Sequence, residues 1–94
     1  MADYSEAIRL DPRNALAFRN RGLVYGARGD NDRAIADYDE VIRLDPKYAM
    51  AFYSRGVAYG ANGDRAIADY AEAIRLDPQI ARTYFNQIAV AYFN

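Results

Sequence analysis

The chain has 94 residues, 52% of them apolar, and twelve Lys and Arg against thirteen Asp and Glu leave a net charge of −1. It has no Cys and no His, which excludes disulfides, thiolate metal sites and a Cys nucleophile, and removes the commonest general base and metal ligand. It is too apolar for a disordered segment, no apolar run nears the ~18 residues of a membrane span, no signal-peptide pattern opens it, and its mixed charges give no basic footprint for nucleic acid. The expectation is one small, soluble, cytoplasmic domain without cofactor or metal.

The first element, Met1-Ala-Asp-Tyr-Ser-Glu-Ala-Ile-Arg-Leu-Asp-Pro12, returns from Ile35 to Pro46 and again from Ile67 to Pro78. Between the first two copies lies Ala17-Phe-Arg-Asn-Arg-Gly-Leu-Val-Tyr-Gly-Ala-Arg-Gly-Asp30, which is repeated from Ala51 to Asp64. Phe18, Gly22 and Tyr25 are spaced four and three apart, so they share one face of a helix. Ala34, Tyr38 and Val41 repeat that spacing on a second helix. Gly22 and Ala34 are small where two helices must approach closely, with large rings to fill the gaps beside them. Asp11, Asp45 and Asp77 each precede a Pro, which predicts a cap followed by the first turn of a helix. Arg9, Arg43 and Arg75 fall near helix C-termini, where cations complement the dipole. The last segment, 80–94, has apolar residues almost all round, the pattern of a buried helix.

This pattern resembles the tetratricopeptide family, whose repeat is a pair of antiparallel helices, A then B. Phe18 stands where the family usually has Trp; Gly22, Tyr25, Ala34, Tyr38 and Pro46 follow at the family's spacing. The next repeat offers Phe52, Gly56, Tyr59, Ala66, Tyr70 and Pro78. The resemblance implies an all-α fold of helix pairs in a right-handed superhelical stack. Residues 2–10 are then an orphan B helix within a single domain. Residues 13–46 form a full repeat (helices 13–28 and 31–44), 47–78 a shortened one (helices 47–62 and 65–76), and 79–94 a terminal helix.

The shortening is two residues. Pro12 to Pro46 is 34 residues, whereas Pro46 to Pro78 is 32, the loss falling at the turn before Arg65. At ~100° per residue, the nine residues from Tyr25 to Ala34 put the two stripes of the first repeat half a turn out of phase, so a hairpin is expected there. The seven from Tyr59 to Ala66 leave the second pair only ~20° out of phase. Two readings are open. Gly63 can close the first helix and Asp64 start the second, giving a tight hairpin. Alternatively, 47–76 fuses through Tyr59, Gly60, Asn62, Gly63, Asp64, Arg65 and Ala66 into one helix, which exchanges its second half with another copy. The in-phase stripe favours fusion and a domain-swapped homodimer, and the near-identical flanks suggest a recent deletion.

The terminal helix carries Ile80, Tyr84, Phe85, Ile88, Tyr92 and Phe93 as a candidate self-association surface, with a modified capping helix as the alternative. Ile88 stands where the family has its close-approach Gly. Ligands of the family usually lie along the surface of the A helices, which the resemblance places here at Leu16, Arg19, Asn20, Leu23, Met50, Tyr53, Ser54, Val57 and Arg82, with Phe85 and Asn86. Leu23 and Val57 occupy the places where the chaperone-tail clamp needs Asn, so that clamp is absent; an apolar or weakly acidic peptide is the ligand these residues suit. No enzyme signature is present. Asp37, Asp39 and Glu40 read as a solvated face, Gly26–Gly29 as a helix end, and Asp30-Asn31-Asp32 as a cap and turn without the Glu a calcium loop needs. The expected function is a non-enzymatic protein-interaction scaffold that self-associates, a monomeric peptide-binding module being the alternative.

Overall fold

The structure is a computed structural model and describes residues 2–60 and 63–93. Among the described residues seven helices follow one another: α1 Ala2–Leu10, α2 Ala15–Ala27, α3 Asn31–Leu44, α4 Ala49–Tyr59, α5 Gly63–Leu76, α6 Gln79–Thr83 and α7 Phe85–Phe93. The fold is all-α.

The two full repeats are built alike. Helices α2 and α3 run antiparallel, since Gly26 faces Ala34 while Gly22 faces Tyr38. Ala34, Tyr38 and Val41 are buried in that seam, as Ala66, Tyr70 and Ala73 are in the seam of α4 and α5. Each Tyr ring lies flat over a glycine of the preceding helix. A Cβ on Gly22 would sit 2.8 Å from Tyr38 Cε1, and one on Gly56 would sit 2.6 Å from Tyr70 Cε1. No side chain fits there, which is why both motifs carry Gly at this one helical place despite its ~1 kcal/mol propensity cost.

Helix ends are set differently from the sequence expectation. Asn14, not Asp11, caps α2 by accepting from the Ala17 N–H at 3.1 Å. Asp11 and Asp45 instead accept from the N–H two residues on, at Arg13 and Lys47. These short-range bonds shape the Asp-Pro turns and leave the helix starts three residues further along. Asp30 does cap α3, accepting from Arg33, and Gly29 at φ 80° closes α2 ahead of it. Arg9, Arg43 and Arg75 each pair with the Glu one turn earlier, Glu6, Glu40 and Glu72.

The fused helix is not formed. Helix α4 stops at Tyr59, and Gly60 leaves helical space at φ 55°, ψ −115°, its N–H reaching back to Gly56 O. The chain returns antiparallel, with the Arg65 guanidinium over the Tyr59 ring and Arg55 on Asp69. The physical reason is burial. The stripe from Phe52 to Ala73 has no cover within one chain if the helix runs straight, whereas the hairpin lays its two halves on each other. The capping role assigned to Gly63 falls to Gly60; Gly63 is the first residue of α5. Asp64 and Arg65 are exposed in the first turn of α5 and Ala66 is buried, while Asn62 lies outside the described residues.

The terminal helix is broken, not continuous. Tyr84 at φ −117°, ψ 30° separates α6 from α7. Ile88 points inward, as Gly22 and Gly56 do at the same place of the repeat, and joins Ala66, Tyr70, Ala73 and Ile80 in one core cluster. An Ile at the close-approach place has no following B-helix Tyr to meet among the described residues, so it packs back on α5.

Candidate binding surface

Helices α2 and α4 present equivalent faces. Leu16, Arg19, Asn20 and Leu23 are spaced 3, 1 and 3 apart along α2, and Met50, Tyr53, Ser54 and Val57 repeat them along α4, so each set forms one stripe. Leu16, Leu23 and Val57 are exposed, as is Phe85 at the head of α7. Arg19, Asn20, Met50, Tyr53 and Ser54 are half-buried and Arg82 is exposed.

The structure gathers these residues into two shallow depressions. Leu23, Ser54 and Val57 line one of about 210 Å³, floored by Tyr38 and Ala58. Tyr53, Arg82, Phe85 and Asn86 line a second of about 350 Å³, with Thr83, Tyr84 and Gln87. Leu16, Arg19, Asn20 and Met50 lie outside both. Neither depression is lined by a carboxylate. Tyr53 stacks on Tyr84 at 4.3 Å between centroids and tilts against Tyr70 at 5.6 Å. Burial pushes the Tyr53 hydroxyl up to about 12, so it stays a neutral phenol at the edge of an apolar surface. Burial also raises Tyr38, against the opposing charge of Arg19.

The self-association residues separate into two groups. Ile80 and Ile88 are core, whereas Tyr84 is half-buried, stacked on Tyr53, and lines the second depression. Phe85, Tyr92 and Phe93 are exposed, Phe93 to 87%, and Val90 joins them.

Sequence reasoning missed the polar residues that hold the surface in shape. Asp37 was expected on a solvated face, yet it is 4% exposed, as is Asp69. The Arg21 guanidinium donates to both Asp37 oxygens at 2.9 and 2.7 Å, and Arg55 does the same to Asp69. Each Arg also reaches the preceding repeat, Arg21 to Ser5 Oγ at 3.3 Å and Arg55 to Asp39 Oδ1 at 2.9 Å. Paired with these carboxylates, Arg55 is held above the ordinary guanidinium range. The signal was available: Arg-Gly recurs at 21–22 and 55–56, and Ala-Asp-Tyr at 36–38 and 68–70. Among the described residues no three acidic groups cluster as a metal would require, and no helix is long and apolar enough to cross a membrane.

A family model described as a TPR repeat matches residues 1–27 and 27–63. Two crystal structures of MamA are similar to this chain, each at 32% identity over 84% of it, with TM-scores of 0.75 and 0.74. The chain spans less than half of either, 47% and 44% of their lengths. The comparison with curated proteins finds no match.

Proposed function

The chain belongs to the tetratricopeptide-repeat family, and from that premise we propose that it is a non-enzymatic scaffold which holds a segment of a partner protein along the face of α2, α4 and α6–α7. The carrying observation is the composition of that face: Leu16, Leu23, Val57 and Phe85 exposed, Arg19 and Arg82 beside them, and no carboxylate lining either depression. Apolar side chains enter the depressions and acidic ones meet the arginines, so the ligand is an apolar, weakly acidic peptide. Peptides of that class, titrated by fluorescence anisotropy, are expected to bind the chain and to lose about tenfold or more in affinity on Leu23→Glu with Val57→Glu, two charges set against an acidic ligand. Both positions are exposed, so the circular dichroism stays that of the parent. Unchanged affinity in that variant overturns the reading.

Self-association through a swapped α5 is the second reading. It rests on the 32-residue spacing; the contacts that the hairpin makes within one chain (Arg55 on Asp69, Gly56 under Tyr70) are ones a second copy supplies identically. The exposed Phe85, Tyr92 and Phe93 add apolar area. Light scattering at tens of micromolar decides it. A dimer that reverts to monomer when two residues are inserted after Asp64 supports the swap, and a monomer at every concentration sinks it.

A further inference from the structure

Five of the six glycines have a structural reason to be there. Gly22 and Gly56 lie under Tyr rings, Gly29 and Gly60 hold positive φ, and Gly63 opens α5. Gly26 answers to none of these needs. It lies within α2, its φ is not positive, and a Cβ there would meet one atom within 4 Å, Ala34 Cβ at 3.9 Å. Alanine would fit at this place and would favour the helix more. What Gly26 does border is the apolar depression between α2 and α4. Leu23, Gly26 and Ala27 line it from α2, where their spacing puts them on one helix face. Val57 lines it from α4, over the floor of Tyr38 and Ala58. The depression measures about 210 Å³. A cavity of ~150 Å³ already holds benzene, so there is room for an aromatic ring, and a side chain on the α2 wall would take up part of that room.

We propose that Gly26 is a specificity-determining residue, bare so that the depression admits a phenylalanine-sized ring carried by an acidic peptide. The ring is apolar because the walls are. The peptide is acidic because no carboxylate lines the depression and Arg19 lies on the same stripe of α2 as Leu23. The inference rests on the peptide-binding reading of the α2–α4 face and adds which side chain the ligand places between the two helices. It also accounts for a helix-weakening residue that the fold does not require, since binding surfaces are where a chain gives up stability for function. The counterpart of Gly26 in the second repeat is Gly60, which ends α4 instead, so the same residue type serves the ligand in one repeat and the turn in the other.

The test titrates three labelled acidic hexapeptides, identical but for a central Ala, Leu or Phe, against the whole chain and its Gly26→Ala and Gly26→Leu variants by fluorescence anisotropy. The parent is expected to bind the Phe peptide about tenfold more tightly than the Ala peptide, with Leu between them. Gly26→Leu fills the depression and abolishes that ratio, while the Ala peptide binds as it does to the parent. Gly26→Ala lowers the ratio and raises the urea midpoint, which separates lost selectivity from lost fold. A glycine with a purely structural role would leave the ratio unchanged in every variant that folds. The ratio surviving in Gly26→Leu or, where that variant does not fold, in Gly26→Ala overturns the inference. Equal binding of the three peptides by the parent does so too, and in both cases the peptide-binding reading stands. Binding of none of the three removes the reading and the inference together.

Discussion

Gly56→Val is expected to lower stability by about 3 kcal/mol, the upper end for overpacking a filled site. The Cβ alone would stand 2.6, 2.9 and 3.2 Å from three atoms of the Tyr70 ring. That ring cannot retreat. It is 1% exposed and pressed by Tyr53. The two γ-methyls of Val extend the clash, so α4 and α5 must part. Gly56→Ala sits between, since its better helix propensity offsets part of the strain by up to about 1 kcal/mol. Gly26 is the internal control. A Cβ there meets only Ala34 Cβ, at 3.9 Å, so Gly26→Ala is expected to raise stability by about 0.5–1 kcal/mol. Urea melts followed at 222 nm measure all three. The ordering fails if Gly56→Val and Gly26→Ala shift the midpoint in the same direction. A domain of this size has a thin margin, and a loss of ~3 kcal/mol leaves much of it unfolded at 37 °C.

The glycine places were legible from spacing alone, because a 4–3 stripe with a small residue at its centre has few physical meanings. So were the helix pairs and the first hairpin, whereas the stripe on α2 and α4 came from the family resemblance. Phase arithmetic went wrong at the second hairpin for an identifiable reason. It scores a helix that continues and is blind to a residue that leaves helical space, and Gly60 at positive φ does so at little steric cost. The break at Tyr84 was hidden because the sequence of 79–93 supports a helix throughout; the fault lies in what Ile88 must pack against. Asp37 was misread because a carboxylate beside Asp39 and Glu40 looks solvated until its Arg, sixteen residues away in sequence, is brought over it. Long-range pairing of this kind shows in a sequence only as a correlated recurrence, and here it recurs twice.

Asp69→Ala is expected to cost about 2–4 kcal/mol, while Asp39→Ala costs no more than about 1 kcal/mol, although both remove a partner of Arg55. Asp69 is buried and accepts both guanidinium bonds, so its loss strands a cation whose side chain is only 21% exposed. The Asp39 side chain is 54% exposed and makes one bond of 2.9 Å; water replaces it readily. The stranded Arg55 keeps Asp39 and the face of Phe52 at 5.6 Å, which is why the figure stays below the full cost of an unpaired buried charge. Removing both charges tests that account. Arg55→Met with Asp69→Leu is expected to recover part of the loss, because the penalty comes from the unpaired cation and not from the missing attraction. Urea melts of the two singles, the double and Asp39→Ala supply the numbers; a double no more stable than Asp69→Ala would falsify the account. The smaller effect at Asp39 has the wider structural consequence. Arg55 joins α4 to α5 through Asp69 and to α3 through Asp39, so the first pair lies within the repeat and the second links it to the repeat before. Asp39→Ala therefore leaves each hairpin intact while loosening the alignment of α2 with α4, and its expected signature is a peptide affinity that falls further than the melt does.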